Sequence, residues 1–99
     1  MSEEKVMSLK LTSGEEVIGK FVEQEGNAWK MKDVRLIIMM PDGQLSLGPI
    51  LFSANKDHAI TIYKTAIAVT SENVRQEFAD AYTQSVSPLS VIKKSIIMG

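Results

Sequence analysis

Hydrophobic and polar positions alternate along most of the first seventy residues. Leu9 and Leu11 fall on one side of Ser8–Thr12, with Ser8, Lys10 and Thr12 on the other. That two-residue period predicts a half-buried strand. Ser13-Gly14 reads as a turn. In EEVIGKFVEQ, Val17, Gly19 and Phe21 share one face, and Ile18, Lys20 and Val22 the other. A glycine inside such a strand predicts a sharp bend or a close backbone approach. Small barrels need such corners. Glu25-Gly26-Asn27 is the next turn. AWKMK then alternates, with Trp29 and Met31 opposed to Lys30 and Lys32, and runs into VRLIIMM, apolar on both faces. Pro41-Asp42-Gly43 is a strong turn. QLSLGPILF predicts a further strand, with Gly48-Pro49 marking a bulge, bend or edge. SANKDH, residues 53–58, is a polar loop.

ITIYKTAIAV, residues 60–69, is largely apolar but interrupted by Tyr63-Lys64-Thr65. The interruption predicts two short strands joined by Lys64-Thr65, with Tyr63 ending one and Ala66 starting the other. After Thr70 the period changes. Val74, Phe78, Ala81 or Tyr82, and Val86 fall at helical spacing. Ser71 is the expected N-cap, so residues 72–85 are predicted as an amphipathic helix ended by Ser87-Pro88. LSVIKKSIIMG closes the chain as a short, apolar, basic tail.

Consecutive strands with tight turns predict a mainly β fold: a small, strongly bent antiparallel barrel of about five strands with a C-terminal helix. The segments are a short N-terminal piece (1–7), the barrel (8–70), the helix (71–86) and the tail (87–99). The runs 36–40 and 66–69, apolar on both faces, call for cover from the helix or from a neighbouring subunit.

Composition narrows the functional classes. The chain has 99 residues, 44% hydrophobic and 23% charged, a net charge of −1 and no cysteine. One small domain is expected, and oligomerisation is a common remedy for its limited core. Near-neutral charge argues against broad coating of nucleic acid, though a ring can repeat one lysine around its axis. Without cysteine there is no disulfide framework and no thiolate chemistry. MSEEKVMSLKL lacks the apolar core of a signal peptide. No stretch approaches the ~20 apolar residues of a membrane span. VIKKSIIM alone is a weak membrane anchor. A cytoplasmic protein without membrane attachment is expected.

Candidate chemistry is sparse. His58 is the one histidine, and a lone imidazole is not a metal site. Nothing around Ser53 resembles an activated serine elbow. Glu15-Glu16 and Glu23/Glu25 read as solvated strand-end charges, because a catalytic pair needs one carboxyl in a dry pocket. Gly14 and Gly19 lack the helix start of a phosphate loop. The expectation is no enzyme, no cofactor and no metal.

Two motifs remain. LKLTSGEEVIGKF resembles the first motif of the Sm-like (LSm/Hfq-type) family: Gly14, Val17, Gly19 and Phe21 fill its glycine–apolar pattern, and Glu25 stands six positions after the second glycine, where an acidic residue is usual. Tyr63-Lys64-Thr65-Ala66-Ile67 is similar to the Tyr-Lys-His-Ala-Ile motif of the bacterial branch. The resemblance covers roughly residues 8–70, and the layout is similar to small bacteriophage members. Thr65 replaces the motif histidine, the helix lies at the opposite end from the usual one, and the stretch 34–58 is longer than its bacterial counterpart.

The resemblance implies a homo-oligomeric ring of five to seven subunits. Its seam would be formed by Tyr63, Ala66, Ile67, Ala68 and Val69. It implies single-stranded RNA, uridine- or adenine-rich, held at the pore without chemistry. Lys64 would meet phosphate or base, Tyr63 would lie at the seam or near the base, and Thr65 would offer a hydroxyl. Asn27 and Trp29 would form the other wall of the pocket. The alternative is a ring-forming structural or protein-interaction module that has lost RNA binding.

Overall fold

The computed structural model describes residues 5–51, 53–54 and 58–86. The elements in chain order are β1 (Lys5–Leu11), β2 (Glu16–Glu25), β3 (Ala28–Met39), β4 (Leu45–Pro49), β5 (Ile60–Tyr63), a short 3-10 helix (Lys64–Ala66), β6 (Ile67–Ser71) and α1 (Gln76–Val86). The six strands form one antiparallel sheet in the order β4-β3-β2-β1-β6, and β5 pairs with the other half of β3. Ala28–Met31 pairs with β5, and Arg35–Met39 pairs with β4.

The sheet is open, since β5 and β6 do not pair with each other among the described residues. It is nevertheless tightly curled. As a straight strand, β2 would span about 30 Å. Yet the turns at both its ends are tied to the same 3-10 helix. Thr12 N–H donates to the Ala66 carbonyl at 2.8 Å, and Lys64 N–H donates to the Asn27 carbonyl at 2.7 Å. One turn of 3-10 helix is about 6 Å long, so β2 must arc.

Gly19 and β3 supply the bend. Between Ile18↔Arg35 and Lys20↔Lys32 the register shifts, leaving an extra residue on β3. Such a bulge bends its strand and tightens the twist. Asp33 takes φ +52° there, a left-handed conformation that Asp tolerates better than most side chains. A Cβ on Gly19 would lie 2.9 Å from Val34 Cγ2 and 3.2 Å from Val34 Cα. The predicted close approach at Gly19 is therefore what lets the strands fold over one another.

The inner face of the curl holds Met7, Leu9, Val17, Met31, Val34 and Ile62, flanked by Phe21, Trp29 and Ile67 among others. On the outer side α1 docks through two long side chains. Tyr82, 1% exposed, donates its hydroxyl to the Asp33 carbonyl at 2.8 Å. Arg35, 5% exposed, donates from Nε to Ser85 Oγ at 3.1 Å and from Nη1 to the Val34 carbonyl. The last turn of α1 has no basic residue of its own, and Arg35 brings a cation to that negative end of the helix.

Several expectations are corrected. There are six strands rather than about five, because β5 and β6 lie at opposite ends of the sheet and the β3–β4 hairpin adds its own. The first strand begins before Ser8: Lys5–Met7 are strand, with Met7 in the core. The link between β5 and β6 is three residues, and Ala66 belongs to it. The QLSLGPILF strand stops at Pro49. The helix starts at Gln76 rather than at 72. Ser71 ends β6, and its Oγ accepts the Asn73 N–H at 3.1 Å in a local turn; the first helical bonds go instead to the Arg75 carbonyl. A polar side chain that closes a turn upstream mimics an N-cap in sequence. The predicted tail, 87–99, lies outside the described residues.

Candidate functional site

Four of the five predicted nucleotide-contacting residues converge at one end of the curl. Pairing of β3 with β5 sets Ala28 opposite Tyr63. The next bond along that edge, Lys64 N–H to the Asn27 carbonyl, fixes the β2–β3 turn against the 3-10 helix. Tyr63, Lys64, Thr65 and Asn27 are all exposed, Tyr63 at 57%. Gly26 makes this turn possible with φ +58°, leaving Asn27 to supply the carbonyl.

Trp29 departs from its predicted place. It points into the curl, edge-on to Phe21 with ring centroids 4.8 Å apart and an interplanar angle of 74°. Its partner across the ladder is Ile62, a core residue. The indole Nε1–H is buried with no hydrogen-bond partner among the described residues. Strand alternation explains the difference. Asn27 lies in the turn, and Trp29 is two residues on, already in phase with Met31 on the inner face. Asn27 is therefore exposed beside Tyr63, Lys64 and Thr65, while Trp29 packs against the core.

The charges around this end are unevenly paired. Lys5 pairs with Glu72, Lys20 with Asp33 at 3.3 Å, and Lys30 with Glu25 at 3.5 Å. Lys64 Nζ has no carboxylate within ion-pair distance among the described residues. The β1–β2 turn, tied to Ala66 through Thr12, carries Glu15. Donation from the Ser13 hydroxyl, with a smaller contribution from Glu15's own backbone N–H, holds the Glu15 carboxyl below its ordinary range. The end is thus mixed in sign, and Lys64 brings to it a cation with no ion-pair partner among the described residues.

The predicted seam residues divide. Ala66 is half-buried and its carbonyl is already used by Thr12. Ile67 packs against the core. Ala68 and Val69 are exposed, Val69 at 57%. β6 pairs only with β1, and β5 only with β3, so each strand keeps one unpaired edge among the described residues.

Sequence reasoning missed Thr12, which anchors the 3-10 helix. Nothing in the chain signals a backbone bond between residues so far apart. It also passed over Arg35, hidden in an apolar run and held by α1.

Elsewhere, His58 is exposed and borders a cavity of about 10 Å³ with Val34, Pro49 and Ile60, at most the room of one water. A half-open groove of about 260 Å³ lies between the start of α1 and the sheet, lined by Ser8, Glu16, Ile37, Val74, Arg75 and Phe78. Among the described residues no cluster of His, Asp or Glu could hold a metal ion, and no helix is long and apolar enough to cross a membrane. The chain matches no protein-family model and no curated protein.

Proposed function

We propose that this chain is an Sm-like subunit whose curled sheet acts as a small barrel. Copies assemble into a ring of five to seven, and the ring holds single-stranded RNA at its pore without chemistry. One observation carries the reading. The 3-10 helix joins the two end strands of the sheet, each with an open edge, and presents Tyr63-Lys64-Thr65 between them. Pairing β5 of one copy with β6 of the next would satisfy both edges and repeat indefinitely until the rotation closes.

In such a ring the 3-10 helices converge on the axis. Several Lys64 ammonium groups would then share one small volume and repel. An oligonucleotide relieves that repulsion with its phosphates and offers flat bases to Tyr63. Thr65 and Asn27 supply hydroxyl and amide groups for base edges. A U- or A-rich strand, weakly stacked and easily splayed, is the natural occupant.

The packing of half-buried Trp29 against the core favours a second reading, a ring that serves as a structural or protein-interaction module. With Trp29 inside, Tyr63 is the remaining aromatic at the site, and near-neutral net charge adds little attraction. Anisotropy titrations of oligo-U and oligo-A at two salt concentrations, with light scattering for the assembly mass, separate the two. RNA held by about five lysines gives a log–log salt slope near −3.5, and Lys64→Ala abolishes both binding and slope. A ring of the expected mass that binds neither oligonucleotide at low salt leaves the interaction module as the reading.

A further inference from the structure

Arg35, Ile37 and Met39 alternate onto one face of β3, the face on which α1 docks through Ser85. Their partners on β4, Pro49, Leu47 and Leu45, share that face. The last turn of α1 holds Arg35. Phe78 near the start of α1, and Val74 just before it, line the half-open groove of about 260 Å³ together with Ile37. Beyond Ile37, β3 has passed its last partner on β2, and Met39 is 57% exposed. One face thus carries, about 7 Å apart along the strand, a projecting apolar side chain and an apolar recess.

The charges around the recess select its occupant. Glu16 and Arg75 both line the groove. Glu16 lies opposite Lys10 on β1, yet makes no ion pair among the described residues. Arg75 gives one donor to Glu77 at 3.1 Å and lies 5.5 Å over the Phe78 ring, which leaves most of its five donors for another acceptor. An occupant of one charge sign would be repelled at one wall. A second copy brings both signs, and a two-fold axis sets the acid of each copy against the base of the other. It also brings Met39, whose flexible thioether suits an irregular recess and contact with an aromatic ring such as Phe78.

We propose that two copies pack through this face, about a two-fold axis between Ile37 and Met39. Each Met39 enters the other copy's groove between Ile37, Val74 and Phe78. Each Glu16 meets the other copy's Arg75. The contact leaves the open edges of β5 and β6 free, so it does not depend on ring closure. It doubles whatever assembly those edges make.

Sedimentation velocity with light scattering, over a dilution series, tests it on the wild type, Met39→Asp, Glu16→Arg and Glu16→Arg/Arg75→Glu. All three positions are exposed, so the variants keep the fold, which a thermal melt verifies. The wild type is expected at twice the mass of Met39→Asp: two rings against one or, should the ring reading fail, a dimer against a monomer. Met39→Asp should weaken the doubling at least about thirtyfold, because it places a charge in an apolar recess. Glu16→Arg should weaken it about tenfold, and the double reversal should restore it to within about threefold. A wild-type mass that Met39→Asp does not lower overturns the proposal and leaves the groove to another occupant. So does a double reversal that stays at half the mass.

Discussion

The two halves of β3 belong to different worlds. Its first half, Ala28–Met31, pairs with β5 and turns Trp29 and Met31 into the closed side of the curl. Its second half, Arg35–Met39, pairs with β4 and runs out past the sheet until Met39 is 57% exposed. The division falls at Asp33–Val34, where the bulge faces Gly19. One strand thus serves as the wall of a core and as an overhanging arm, because a single extra residue redirects it. The same corner is where α1 fastens, through Tyr82 to the Asp33 carbonyl. Curl, arm and helix share one hinge point.

The most damaging way to break that comparison is to fill the corner. Gly19→Val places branched carbons against the Val34 backbone, and loss of about 3 kcal/mol or more is expected in a urea melt. Val34→Ala in the Gly19→Ala background should recover part of the loss, since the nearest contact is a Val34 methyl at 2.9 Å. Full stability of Gly19→Val would mean that the bend does not depend on close approach.

Unfastening the helix is milder. Tyr82→Phe leaves the ring in place but strips the Asp33 carbonyl of its donor, for an expected cost of about 1–2 kcal/mol. Thermal unfolding checks it. An unchanged Tm would show that solvent replaces the hydroxyl and that the helix does not report on the bulge.

Trp29→Phe sharpens the contrast between the inner and outer ends. It deletes an indole N–H that is buried without a partner, which offsets the loss of ring area. A change within about 1 kcal/mol is expected, and RNA affinity should stay within about twofold. A selective loss of RNA binding would return Trp29 to the site.

The smallest effect on stability belongs to Lys64→Ala. The side chain is exposed and unpaired among the described residues, so the melt should move by less than about 0.5 kcal/mol. Its consequence is reserved for RNA titration, where loss of the salt slope is expected.

How far the sequence reaches depends on whether a feature is local. The alternation in Ser8–Thr12 and in AWKMK fixed which side chains face inward, because strand period is a property of neighbouring residues. The break at Tyr63-Lys64-Thr65 was legible for the same reason, since three consecutive residues that cannot continue a core strand announce themselves. Gly19 announced a close approach without naming its partner. The helix was legible in its body and misplaced at its start, because Ser71 closes a local turn that looks like a cap.

What the sequence determined by itself is therefore the mainly β character with one helix after it, the inward faces of Ser8–Thr12 and AWKMK, and the polar interruption between β5 and β6. Tertiary structure alone decided that Thr12 and Asn27 are tied to the same 3-10 helix, that Trp29 packs against Phe21 and the core, and that Arg35 is held by α1. The physical reason is that periodicity encodes only what a residue does relative to its neighbours in the chain. Where two distant strands bend toward each other depends on the bulge at Asp33–Val34 meeting Gly19, and no single stretch of the chain contains both.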